Sequence, residues 1–132
     1  MVKRIILQNK NAGGGSTITQ QLAKLLFTQE PASNIWARAP QKLKEMVTAI
    51  KLERSYTKEE IISMYLNQFE FGYNAWGIKA ASETFFNTSP DELSINEAAV
   101  LVGMLKNPSY YNPRRFPEHV RTRRNVVLYQ MY

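Results

Sequence analysis

The chain has 132 residues, 17 Lys and Arg against 11 Asp and Glu, a formal charge of +6, and no cysteine. That length fits one domain with a modest core, and the absence of cysteine excludes disulfides and thiolate metal sites. No apolar run approaches the roughly 20 residues of a membrane-spanning helix, Met1 to Ile6 is too short and mixed for a secretory signal, and the positive balance favours an anionic partner: nucleic acid, acidic headgroups or a pyrophosphate.

The predicted elements begin at GGGSTITQQLAK, Gly13 to Lys24. Three glycines permit positive φ and close approach to a ligand, and Thr17 and Gln20 carry the spacing of a capping box, so a helix is expected from Ser16 to about Thr28. A helix N-terminus attracts anions, and Lys24 lies one turn past Gln20 on the same face. Taken alone, the run fits a flexible linker feeding a capped helix as well as a phosphate-holding loop. Gln20 and Gln21 sit beside Ile18, Leu22, Leu25 and Leu26, which supply an apolar stripe, so at least one amide is expected at the margin of the buried face.

After the polar connection QEPASN, Pro40 suits a first helical position. Leu43, Met46, Val47, Ile50 and Arg54 then keep to one helical face, apolar from Leu43 to Ile50. Thr57 and Glu60 form a second capping-box pattern ahead of Ile61, Ile62, Tyr65, Leu66 and Phe69, and Gly72 to Asn74 break that helix. A fourth helix is expected from about Ala75 to Phe86, a short turn at Ser89 and Pro90, a fifth helix capped by Ser94 and Glu97 to about Lys106, and another after Pro117. No run alternates long enough for a strand, so the fold reads as all-α. Tyr65, Phe69, Phe71 and Trp76 read as core, Asn67 as a brace for the FGYNAWG loop, and His119, the only histidine, as a surface residue.

Several of these segments together resemble a known family. GGGSTITQQLAK resembles the second signature of the peptidoglycan glycosyltransferases of family 51, the polymerase domain of class A penicillin-binding proteins. QKLKEMVTAIKLE (Gln41 to Glu53) is similar to the third signature, KEEIISMYLNQFEFGYNAWGIKAAS (Lys58 to Ser82) to the fourth, and LSINEAAVLVGMLKNPSYYNP (Leu93 to Pro113) to the fifth. Arg123, Arg124 and Asn125, with Val127 and Leu128, resemble the closing helix. The resemblance implies a lysozyme-like helical lobe and a transferase of cell-wall biogenesis. In that chemistry an acceptor sugar hydroxyl attacks the anomeric carbon of a lipid-linked glycan and expels undecaprenyl pyrophosphate with inversion. It also implies partners: lipid II, the nascent glycan strand and the bacterial cytoplasmic membrane surface, on its outer, periplasmic side, with no nucleic acid.

By the same resemblance Glu45 matches a catalytic carboxylate. Gly15, Ser16, Thr17, Thr19, Gln20, Gln21, Lys24 and Lys42 match substrate-binding positions, with Glu53, Asn67, Gly72 and Gly77 in secondary or structural roles. Lys42 and Glu45, three apart, share a helical face, where a solvated salt bridge is the plainer reading. No protein metal site is expected; a divalent cation, magnesium or manganese, would sit on the substrate pyrophosphate. Gln41 stands where the family carries a basic residue. The family's first signature, which supplies the proton-accepting glutamate, precedes the GGGSTITQQ run, and the twelve residues before Gly13 contain no acid. The expectation is therefore a single partial domain over residues 1–132, without transpeptidase domain or membrane anchor, inactive by itself. Two other classes compete: a basic helical nucleic-acid-binding module and a lysozyme-like glycan hydrolase, which needs a placed carboxylic acid.

Overall fold

A computed structural model of the chain describes residues 16–28 and 33–132. They divide between two compact units, residues 1–56 and 57–132. Gly13, Gly14 and Gly15, and the segment before them, lie outside the described residues.

In the first unit, α1 spans Ile18–Phe27 and α2 spans Ile35–Ser55. Thr17 caps α1, its hydroxyl accepting from the Gln20 N–H at 3.2 Å. Leu22, Ala23 and Thr19 form the buried face of α1, whereas Ile18, Leu25, Leu26 and Phe27 are exposed. Gln20 and Gln21 are half-buried, at the margin as expected. The expected start of α2 at Pro40 is corrected: the helix begins at Ile35, because Asn34 Oδ1 accepts from the Ala37 N–H at 2.8 Å and supplies the cap. Pro40 falls inside the helix, where it removes the donor that Trp36 C=O would otherwise receive. The apolar stripe is not buried against α1. Leu43, Met46, Val47 and Ile50 are all exposed, while Glu45 and Ala49 are the buried residues of α2.

The second unit holds α3 (Lys58–Gln68), α4 (Gly77–Phe86), a 3₁₀ turn (Pro90–Glu92), α5 (Ile95–Met104) and α6 (Pro117–Met131). Of the three predicted capping boxes, the two in this unit form in full, Thr57 with Glu60 and Ser94 with Glu97, whereas at Thr17–Gln20 the hydroxyl cap on the Gln20 N–H is the bond observed. The two hydrogen bonds from Ser94, from its hydroxyl and its backbone N–H, hold the Glu97 carboxyl below the usual carboxylate range. Phe71, Ala75, Ala81, Leu101 and Met104 make the core, with Leu66, Phe69 and Phe85 packed against it. Tyr65 is buried beside it, and desolvation raises its phenol pKa.

Between α3 and α4 the chain reverses through four positive-φ residues, Gly72 (+90°), Tyr73 (+53°), Asn74 (+60°) and Gly77 (+81°). The turn is closed by Phe71 N–H to Ala75 C=O and Gly77 N–H to Phe69 C=O, each 2.9 Å. It delays α4 to Gly77 and turns Trp76 outward. Trp76 is 58% exposed, against the expectation of a core residue, with its Nε1 donating to Asn74 Oδ1 at 3.2 Å. Nor is His119 a surface residue. It is half-buried, stacked on Tyr110 (centroids 4.2 Å) and Phe116 (5.3 Å), and its Nδ1 is buried without a partner among the described residues. All regular structure among the described residues is helical, apart from a single bridge between Glu70 and Trp76.

Candidate active site

The polar residues singled out in the sequence converge in the first unit, at the start of α1. Ser16 immediately precedes the Thr17 cap, and Lys42 reaches it from α2: the Lys42 ammonium donates to Ser16 Oγ at 2.6 Å. The same Nζ lies 3.4 Å from Glu45 Oε2. Gln41 Nε2 donates to the other carboxylate oxygen at 3.3 Å, and Gln21 Nε2 donates to the Ser16 carbonyl at 3.2 Å. Four side chains of the two helices, with Ser16 just ahead of α1, are thus tied into one network.

Glu45 is only 7% exposed while the Lys42 side chain is half-exposed, so this is no solvated surface pair. A carboxylate taken from water needs hydrogen-bond donors, and here each of its oxygens receives one. The electrostatic balance is informative. Lys42 and Glu45 cancel formally, yet the ammonium is held at the N-terminal end of α1, which carries about half a positive charge. A cation fixed at the positive end of a helix leaves the site short of negative charge, and a bound anion supplies it.

Beside this network a cleft of about 830 Å³ opens between α1 and α2, with Ala23, Phe27, Pro40, Leu43 and Val47 on its walls and Glu45 at its polar edge. Clefts that take small ligands run roughly 300–1,000 Å³. The walls are largely apolar, with Gln41, Lys44 and Glu45 as the long polar side chains among the lining residues.

The other expected site residues are placed differently. Thr19 is buried on the inner face of α1, Thr17 is committed to its cap, and Gln20 is half-buried one turn below Lys24, which is exposed in the last turn of α1. Gly15 lies outside the described residues. Glu53 is exposed and makes no ion pair among the described residues. Asn67 is exposed, and what it brings to the loop is its backbone: a Cβ on Gly77 would stand 2.8 Å from the Asn67 carbonyl oxygen. Gln41 is the site residue that sequence reasoning undervalued. Read as a missing charge, it is a donor to Glu45, and its spacing of four from Glu45 on one helix was the available signal. Among the described residues no group of three or more acidic, His or Cys side chains could hold a metal.

The described residues are helical, as the all-α expectation has it. Comparison with known proteins settles the family. The transglycosylase family model matches residues 1–132, and the chain belongs to that family. It is 43% identical over 120 residues to penicillin-binding protein 2a of Streptococcus pneumoniae, covering 91% of this chain and 16% of that protein. It is 42% identical over 130 residues to penicillin-binding protein 1F of Bacillus subtilis, covering 98% of this chain and 18% of that protein. With penicillin-binding protein 1A of Escherichia coli the identity is 42% over 118 residues, 89% of this chain and 13% of that protein. The chain therefore spans less than a fifth of the length of these relatives.

Proposed function

We propose that this chain carries the donor-pyrophosphate site of a peptidoglycan glycosyltransferase that polymerises lipid II. The observation that carries this reading is the Lys42 ammonium held on Ser16 Oγ at the start of α1. In the reaction the acceptor hydroxyl forms a bond to the donor's anomeric carbon as the bond from that carbon to the pyrophosphate oxygen breaks. The hydroxyl proton passes to a base, and undecaprenyl pyrophosphate leaves with the electron pair. Lys42, Ser16 and the helix N-terminus stabilise the charge on the leaving pyrophosphate, which is electrostatic catalysis by donors already in place. Glu45 fixes the ammonium and is a positioning residue here. The proton-accepting role falls to none of these residues, all of which act on the leaving group. Magnesium or manganese, where required, travels on the pyrophosphate.

The cleft and the exposed stripe Leu43, Met46, Val47 and Ile50 support work at a lipid surface, since an apolar helical face flanked by Lys44 and Lys51 suits the headgroup boundary. No described helix is long and apolar enough to cross a membrane. We place the site at the outer, periplasmic face of the bacterial cytoplasmic membrane, where lipid II and the growing glycan strand are met.

The test is binding to neutral vesicles doped with undecaprenyl pyrophosphate, with undecaprenol vesicles and duplex DNA as controls. The expected result is selective, salt-sensitive binding to the pyrophosphate vesicles, weakened about tenfold by Lys42→Met, since a charge-assisted contact is worth roughly 1.5–3 kcal/mol. Equal binding to undecaprenol, or tighter binding to DNA, would overturn the reading.

A further inference from the structure

By the family resemblance Gln21 matches a substrate-binding position, yet its amide is turned back on the chain that enters α1. Its Nε2 donates to the Ser16 carbonyl at 3.2 Å. A carbonyl oxygen can only accept, so the nitrogen end of the amide is the one that faces it. The backbone N–H of the same residue donates to the Thr17 carbonyl at 2.9 Å, and the Gln20 N–H donates to the Thr17 hydroxyl at 3.2 Å. Those two backbone donors serve the cap residue, as at any well-capped helix start. The Ser16 carbonyl is different. It lies one residue before the Thr17 cap, outside the helical ladder, whose first acceptor is the Thr17 carbonyl. Gln21 supplies a donor for it from its side chain.

That extra bond fixes Ser16, and Ser16 is where Lys42 is held. The Lys42 ammonium donates to Ser16 Oγ at 2.6 Å, across 26 positions of sequence. Ser16 is thus gripped at two atoms, its carbonyl by α1 and its hydroxyl by α2. Carbonyl and Cβ share one Cα, so a rotation about Cα–C that releases the carbonyl swings Oγ relative to α1. A displacement of about 1 Å is enough to spoil a positioned group.

We infer that Gln21 is a positioning residue for the pyrophosphate site: it holds Ser16, and through Ser16 the Lys42 ammonium, where the charge of the leaving group develops, without contacting the pyrophosphate itself. The identity of the anion rests on the proposed function; the hold of Gln21 on Ser16 does not. A direct contact between Gln21 and the anion would leave a different trace. Losing a neutral amide from the anion removes a hydrogen bond and no charge, so the salt dependence of binding stays. Letting Lys42 drift removes charge from the site, and the salt dependence flattens.

The test compares Gln21→Met, similar in length and without a donor, with Ser16→Ala and with the double variant, all in the full chain. Without ligand, carbon NMR of the Lys42 side chain should show its Cε resonance moving in Gln21→Met toward its position in Ser16→Ala. Affinity for neutral vesicles doped with undecaprenyl pyrophosphate should fall roughly two- to tenfold in Gln21→Met, the worth of one neutral hydrogen bond. The salt dependence should flatten at unchanged far-ultraviolet circular dichroism, and adding Gln21→Met to Ser16→Ala should cost nothing further. An unmoved Lys42 resonance, an unchanged salt slope, or losses that add in the double variant would each overturn the inference. Should Gln21→Met not fold, Gln21→Asn, which keeps the amide and withdraws it by one methylene, takes its place. A wild-type chain without preference for pyrophosphate vesicles would sink the donor-site reading, while the ligand-free resonance would still decide whether Gln21 holds Lys42 through Ser16.

Discussion

Replacing Gly77 by alanine should unfold the second unit more readily than any other single-methyl addition in the turn between α3 and α4. Two costs combine at this position. At φ +81° any L-residue is strained, by about 1–2 kcal/mol for a left-handed backbone. The new Cβ would also stand 2.8 Å from the Asn67 carbonyl oxygen, with the Asn67 Cα and carbonyl carbon at 3.4 Å. These are backbone atoms of the last turn of α3 and cannot rotate away. Relief requires moving α3 from α4, which stretches the 2.9 Å bond from Gly77 N–H to Phe69 C=O, and overpacking of this kind costs about 1–3 kcal/mol. The sum is about 2–5 kcal/mol. Gly72→Ala is the internal control: φ +90° imposes comparable strain, but its nearest non-neighbour atom is 3.7 Å away. Urea unfolding followed by Trp76 fluorescence in a Trp36→Phe background reports the second unit alone, because Trp36 belongs to the first. Gly77→Ala should lower the midpoint clearly further than Gly72→Ala at similar slope. Equal losses would show that the carbonyl yields and that positive φ is the whole constraint.

Further outcomes follow from the network and the core. Gln41→Arg restores a cation beside Glu45, and affinity for undecaprenyl pyrophosphate vesicles should rise severalfold with a steeper salt dependence; a fall in affinity would mean that the Gln41 bond to Glu45 matters more than charge. Tyr65 has a raised pKa in the folded state, so between its ordinary value near 10 and the folded value the unfolded chain releases a proton that the native one keeps. Stability should therefore fall as pH rises above about 10, and Tyr65→Phe should flatten that limb; an unchanged alkaline limb in the variant would exonerate Tyr65.

Much of the secondary structure was legible because its signals are local. The boxes at Thr57–Glu60 and Ser94–Glu97 join residues three apart, and any sequence window contains both halves. The Asn34 cap is equally local, but Pro40, a favoured first helical residue, is a competing start signal further along the chain. Exposure failed where the backbone turns against expectation. Trp76 looks like core among Phe69, Phe71 and Ala75, but the positive-φ residues before it send the ring outward. The site was half-legible: the Lys42–Glu45 pair is visible in the helical period, while the bond from Lys42 to Ser16 spans 26 positions and depends on how α1 meets α2. Periodicity even misdirects here, since the apolar face of α2 is exposed and the face turned inward carries a carboxylate.

That inversion makes Glu45→Gln the decisive substitution. If Glu45 were only half of a stabilising pair, its removal would cost at most about 1 kcal/mol, given a half-exposed Lys42 partner, and would leave function alone. If it positions Lys42 for a leaving pyrophosphate, binding and turnover separate. Glutamine keeps the volume and removes a negative charge near the phosphates, so affinity for pyrophosphate vesicles should hold or rise. The ammonium, however, loses the carboxylate that fixes it, and lipid II polymerisation by the natural protein carrying this segment should drop at least a hundredfold, since misplacement by about 1 Å can cost that much. Lys42→Met should behave oppositely, losing affinity first. Parallel losses of binding and turnover in Glu45→Gln would reduce the residue to a structural carboxylate and move the positioning role elsewhere in the network.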